Sequence, residues 1–133
     1  MKIFLILVAI FIAIDVLIVA YVVWRRTRRK ISQKDLLDIQ NNWKAIIRRT
    51  DRSHAIMDAD KLLDHALYLM GYKGNLGNKL KKATPLFKSI NRVWAAHKVR
   101  NNIAHQINFQ IDEKTYRNTM LAFKQAFMDL KIF

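Results

Sequence analysis

The chain has 133 residues, with 24 Lys and Arg against 10 Asp and Glu, a formal charge of +14. That length allows one small domain plus an appendage, and the lack of cysteine excludes disulfides, thiolate metal sites and cysteine nucleophiles. Three glycines and one proline are few for the many turns of an all-β protein, so composition favours helices, while the charge favours anionic partners, either lipid headgroups or nucleic acid.

The first element is the apolar run Ile3 to Trp24, broken only by Asp15. As a helix its length is about 33 Å, enough to cross a hydrocarbon core of about 30 Å. Sixteen of its positions are Ile, Leu, Val or Phe. At roughly −0.3 to −0.6 kcal/mol each, they outweigh a central Asp costing about 3 kcal/mol. A cleaved signal peptide would carry its charge in front and end on small residues. Here only Lys2 precedes the run, while Arg25, Arg26, Arg28, Arg29 and Lys30 follow it. The expectation is a single-pass anchor over 1–24 in the cell membrane, with the N-terminus outside and the remainder cytoplasmic. A basic linker over 25–32 would set this orientation and attract anionic lipid; nucleic-acid binding there is awkward so close to a bilayer. Asp15 is either a tolerated intramembrane charge or a hydrogen-bonding group for a second copy of the helix.

Residues 31–133 carry 18 basic and 9 acidic side chains, so this part is basic in its own right. Ser32 is a plausible N-cap for a helix with apolar positions at Leu36, Ile39, Trp43 and Ile46/Ile47. A second helix repeats Ile56, Ala59, Leu63, Ala66, Leu67 and Met70 and ends at Gly71, the residue suited to a left-handed cap. The following turn holds Gly71, Gly74 and Gly77 with Lys73, Lys79, Lys81 and Lys82 nearby. It could cradle a phosphate, but it lacks the P-loop spacing, and a helix-ending turn before a solvated lysine face is the simpler expectation. The last helix starts near Asp112 and places Tyr116, Met120, Phe123, Phe127 and Leu130 on a bundle seam. Trp43, Trp94, Phe87, Phe109, Phe123 and Phe127 supply a core. The expected fold is all-α: an antiparallel four- to five-helix bundle over 33–133 behind one transmembrane helix.

Between the second and last of these helices lies "HKVRNNIAHQ", residues 97–106. Arginine followed five residues later by histidine occurs three times in the chain, as Arg49/His54, Arg92/His97 and Arg100/His105, so the bare spacing carries little. The third instance, "RNNIAH", adds Asn after Arg and Ala before His, late in a helical stretch. On a helix Ala96, Val99 and Ile103 fall within about 60° of arc as a core stripe. His97, Asn101 and Ala104 lie roughly opposite. Arg100 and His105 flank that strip about 140° apart, so one helix does not aim both at a single atom.

"RNNIAH" resembles the R-x4-H signature of HEPN domains, all-helical nucleotide-binding and RNA-cleaving modules. The stretch from His54 to Ala83 is also similar, less specifically, to single-pass bacterial proteins with HEPN-like domains, and the likeness extends over about residues 33 to 130. The resemblance implies a homodimer in which two motifs form one cleft for RNA. Catalysis would then fall to Arg100 and His105 without metal or cofactor, His105 moving a proton and Arg100 stabilising charge on the phosphoryl oxygens. Asn101, Asn102 and His97 would bind or orient substrate, and Asp60 and Asp64, four apart on one helical face, would hold Arg100. The alternative readings are an RNA-binding domain without cleavage and a non-catalytic membrane-tethered scaffold for a protein partner, regulatory or otherwise. In those, His97 is a packing residue beside Trp94, and His105 caps a helix end.

Overall fold

A computed structural model describes residues 1–27 and 31–133, with side chains through residue 23 in the first segment. Every regular element among the described residues is a helix, with no strand, and the chain falls into two compact units, Met1–Lys30 and Ile31–Phe133. Of the basic run, Arg28, Arg29 and Lys30 lie outside the described residues, as do the side chains of Arg25 and Arg26.

The first unit is helix α1, Lys2–Thr27. Its Lys2–Val23 portion is long and apolar enough to cross a membrane, and none of it is buried within the protein. Such a surface of Ile, Leu, Val and Phe is stable in an apolar surrounding and unfavourable in water.

The second unit contains α2 (Gln33–Ile46), α3 (Arg52–Leu69), α4 (Leu76–Ala83), a single 3-10 turn (Thr84–Leu86), α5 (Ile90–His105) and α6 (Glu113–Asp129). Four of these helices begin on a side chain that accepts a backbone N–H left free in the first turn. Ser32 accepts from Asp35, Asp51 from His54, Asn75 from Asn78 and Asp112 from Thr115. The end of α3 is a left-handed cap at Gly71 (φ 90°), where the Tyr72 N–H bonds the Leu67 carbonyl and the Gly71 N–H bonds that of Tyr68. The end of α6 repeats this pattern with Lys131 (φ 61°) in the glycine position. There the buried Ile132 following it packs into the core with Phe127 and offsets the strain of a left-handed lysine.

Helix α3 is the hub, packing against α2, α4, α5 and α6. It buries Ala55, Ile56, Ala59, Leu63, Ala66 and Leu67 completely, the small residues admitting neighbours closely and the large ones filling the space between them. Across from it lie Ile39, Trp43 and Ile46 of α2 and Phe123, Ala126 and Phe127 of α6. Trp43 meets Phe127 edge-on at 5.2 Å between ring centroids, and Phe133 closes the cluster against both. The Gln40 amide donates to the Ile132 carbonyl, tying α2 to the end of the chain. Ile47 and Phe109 depart from expectation. Ile47 is exposed beyond the last turn of α2, and Phe109 is half-buried in the α5–α6 connection, outside the core.

Asp51 and Asp112 link the caps to pH. Backbone hydrogen bonds, from His54 and Thr115 respectively, are the main cause holding both carboxyls below their ordinary value of 3.8, with the neighbouring His54 and Thr115 side chains adding to it. A folded-state value below the unfolded one contributes stability above pH 3.8 that is lost as pH falls through the lowered values. Thermal melting of the full chain in detergent micelles is therefore expected to drop as pH falls below about 4. Asp51→Asn with Asp112→Asn, which caps without titrating, should flatten that drop, and an unchanged acid profile would contradict the assignment.

Candidate phosphate-binding cleft

Two residues on α3 organise the site. Asp60 and Asp64 are one turn apart and so project from the same side of the helix. The Asp60 side chain is buried, 5% exposed, and faces α5; that of Asp64 is 39% exposed and faces α4. On α5, His97, Arg100 and Asn101 share one face by the same i, i+3, i+4 spacing. Asp60 reaches the first two. Its Oδ1 lies 2.8 Å from His97 Nδ1, and its Oδ2 lies 3.3 Å from Arg100 Nε.

The Arg100 contact is an ion pair but not an aligned hydrogen bond, and the buried Nε–H has no other acceptor. The far end of the guanidinium is better held, with Nη1 donating to Asn101 Oδ1 at 3.0 Å. Thus Arg100 is anchored on its buried edge by charge and on its outer edge by a neutral amide, with the side chain 26% exposed. His97 also packs edge-on against Trp94, 6.1 Å between ring centroids, and Trp94 in turn lies against Gly77 of α4.

Lys79 departs most from the expected solvated lysine face. It is 4% exposed, and its Nζ donates to both the carboxylate (2.9 Å) and the backbone carbonyl (3.1 Å) of Asp64. The ammonium also lies 5.5 Å from the Tyr68 ring centroid. Asp64 therefore does not hold Arg100 as the sequence reading expected. It is turned toward α4 and neutralises a buried lysine there. Of the two acids, Asp60 alone is the partner of Arg100.

Between α3, the start of α4 and α5 lies a cleft of about 500 Å³, lined by Asp60, Lys61, Asp64, Asn75, Leu76, Gly77, His97, Arg100 and Asn101. Its charges are Arg100 and Lys61, set against carboxylates already engaged by His97, Arg100 and Lys79. The first turn of α4 adds the positive end of a helix dipole. The cleft suits an anionic group with hydrogen-bond acceptors.

No protein-family model matches the chain, and no curated protein or solved structure is significantly similar to it. The site is therefore argued from its own geometry.

The cleft unites Asp60, His97, Arg100 and Asn101 and leaves out two other residues of the motif. His105 is the last residue of α5, exposed and away from the cleft lining. Asn102 is half-buried, and its carbonyl accepts the Gln106 N–H that closes the helix. Within one copy Arg100 and His105 do not converge, in keeping with their wide separation around the helix. The Arg49/His54 pair does line a common hollow, of about 380 Å³, but each is committed to its own carboxylate, Asp58 and Asp51. Lys61, Asn75, Leu76 and Gly77 belong to the cleft without having been singled out as one site, since only the packing of α4 on α3 brings the glycine turn to Arg100. Among the described residues no group of three or more His, Cys, Asp or Glu could hold a metal ion.

Removal of either acid leaves a buried cationic atom without its counter-charge. Asp60→Asn keeps the shape but removes the charge facing a buried guanidinium edge and an imidazole. It should lower stability by about 1.5–3 kcal/mol. Asp64→Asn leaves the buried Lys79 ammonium facing a neutral amide and should cost a similar amount, about 1–3 kcal/mol. Denaturant melts of the full chain in micelles, followed by tryptophan fluorescence, measure both, and a loss at Asp60 below about 0.5 kcal/mol, the range of an ordinary surface substitution, would contradict the central role given to it.

Proposed function

We propose that this protein is a membrane-anchored, HEPN-like helical domain that binds RNA through its phosphates at the cytoplasmic membrane face. The observation that carries the reading is the meeting of Arg100, Asn101 and Lys61 with the first turn of α4 around one open cleft. A guanidinium held at Nε by Asp60 and at Nη1 by Asn101, with the side chain 26% exposed, is an oriented planar donor suited to phosphate oxygens. The excess of 18 basic over 9 acidic side chains in residues 31–133 favours polyanions over small neutral ligands. The "RNNIAH" motif and the all-helical architecture support the family reading. An apolar α1 followed by a basic run supports a single-pass anchor with the N-terminus outside.

Metal-independent endoribonuclease activity is the finer form of the proposal, and it requires two copies. His105 of one copy would have to reach RNA held at Arg100 of the other, with the exposed Ala104 admitting close approach between them. His105 would then take the proton of a ribose 2′-hydroxyl attacking the adjacent phosphate. The second reading is a non-catalytic scaffold for a protein partner. The engagement of Arg100 and His97 by Asp60 favours it, because those side chains already have a structural role.

Full-length protein in neutral phosphatidylcholine nanodiscs, with labelled single-stranded RNA and a chelator, separates these readings. The parent should bind with an affinity that falls as salt rises. Lys61→Ala and Arg100→Lys should each weaken binding, Arg100→Lys by about tenfold through loss of the planar fork. His105→Ala should bind normally and abolish cleavage. Absence of RNA binding by the parent would leave the scaffold reading, and binding with no cleavage would reject the nuclease step alone.

A further inference from the structure

We infer that α1 is itself an interaction surface whose occupant is the α1 of a second copy, seated around Asp15. The inference rests on the reading of α1 as a membrane span and adds to the two-copy requirement of the nuclease form.

Asp15 lies about 4 Å along the helix axis from the middle of the Lys2–Val23 span. Its short side chain cannot reach the polar interface as a lysine or arginine would. One turn away in either direction stand Phe11, Ile12, Ile18 and Val19, none of which offers a hydrogen bond. The carboxyl has no hydrogen bond or ion pair within the described chain, and every residue of the apolar span is unburied. An unsatisfied polar group at this depth is costly, so a partner at the same depth is favoured.

A second copy brings such a partner without further assumption. Both copies enter the membrane with the same orientation, so the two Asp15 carboxyls meet at one level, the O–H of one donating to an oxygen of the other. The surrounding pattern fits a helix pair. Leu5, Val8, Ile12, Asp15, Val19 and Val22 follow one another at intervals of three and four, the seam of a left-handed crossing. The Val and Ile side chains on that seam have few rotamers to lose on packing. Phe4, Phe11 and Tyr21, whose rings would hold the helices apart, fall off the seam. A single polar residue on such a seam fixes register, which makes the pair parallel and in step.

The test is energy transfer between donor- and acceptor-labelled full-length chains in phosphatidylcholine vesicles, titrated against lipid, with insertion checked by resistance to alkaline extraction. The parent is expected to associate. Asp15→Leu should weaken association about 3- to 30-fold, and Asp15→Asn, whose amide can also bond across the pair, should retain it. Asp15→Leu combined with Leu17→Asp, which moves the carboxyl to another face, should be as weak as Asp15→Leu alone. An inserted parent that shows no association, or an Asp15→Leu chain that associates as tightly as the parent, overturns the inference and leaves the membrane reading standing. Extraction of the parent into the alkaline wash overturns both.

Discussion

The Asp60 carboxylate has been taken almost wholly out of water, and the surrounding structure answers that cost. Burying an ionised group in a small helical domain is unfavourable unless charge and hydrogen bonds meet it from outside its own helix. Its own helix, α3, has already committed the backbone, and the residues one turn from Asp60 on that helix are Ile56, Met57, Leu63 and Asp64, none of which can neutralise a carboxylate. The partners therefore come from α5, as His97 and Arg100, one helical turn apart. This fixes the rotation of α5 against α3. Val93 and Ala96 then meet the core, and Arg100 and Asn101 stand at the rim of the cleft. A carboxylate that is structural from the inside becomes an orienting group from the outside.

The same logic recurs one turn along α3. Asp64 offers a carboxylate at the edge of the core, and Lys79 of α4 is buried against it. That contact seats the start of α4, with Asn75, Leu76 and Gly77, on the same cleft as Arg100. The two ion pairs thus set the two walls of the cleft, and their carboxylates are largely neutralised before any ligand arrives. What remains for a ligand is the part of the guanidinium beyond its Asp60 and Asn101 contacts, the Lys61 ammonium, the Asn101 amide nitrogen and a helix terminus. In the proposed reading this is a phosphate seat, and membrane tethering of two copies through α1 would raise their effective concentration without requiring a strong contact between the domains.

The helices were legible in the residues because their signals are local. Ser32 is a cap by its hydroxyl, Gly71 an end by its conformational freedom, and the spacing in α3 and α6 describes faces that are in fact buried. The end of α6 was not legible, because Lys131 adopts the left-handed conformation for the sake of Ile132 behind it, a tertiary reason. Periodicity also misled over α5. With α3 and α6 both packed on it, its contacting arc is wider than the apolar stripe, and His97 turns inward to α3 although it lies off that stripe. Of the cleft residues, Asp60, His97, Arg100 and Asn101 were named from the sequence, and Asp60 lies against Arg100 in the fold. Lys79 was misplaced, since a short helix with lysines at three positions does not reveal which one faces a carboxylate. His105 is legible only as a motif, and within one copy it stands at the end of α5, away from the cleft that holds Arg100.

The central claim is that a polyanion is held in the cleft and not merely at the basic run beside α1. Mapping covalent crosslinks between full-length protein in neutral nanodiscs and single-stranded RNA carrying photoreactive bases tests this most directly. Crosslinked peptides should concentrate in residues 75–77 and 97–101, around the start of α4 and the middle of α5. Crosslinks confined to residues 25–30, with the cleft peptides unmodified, would contradict the account.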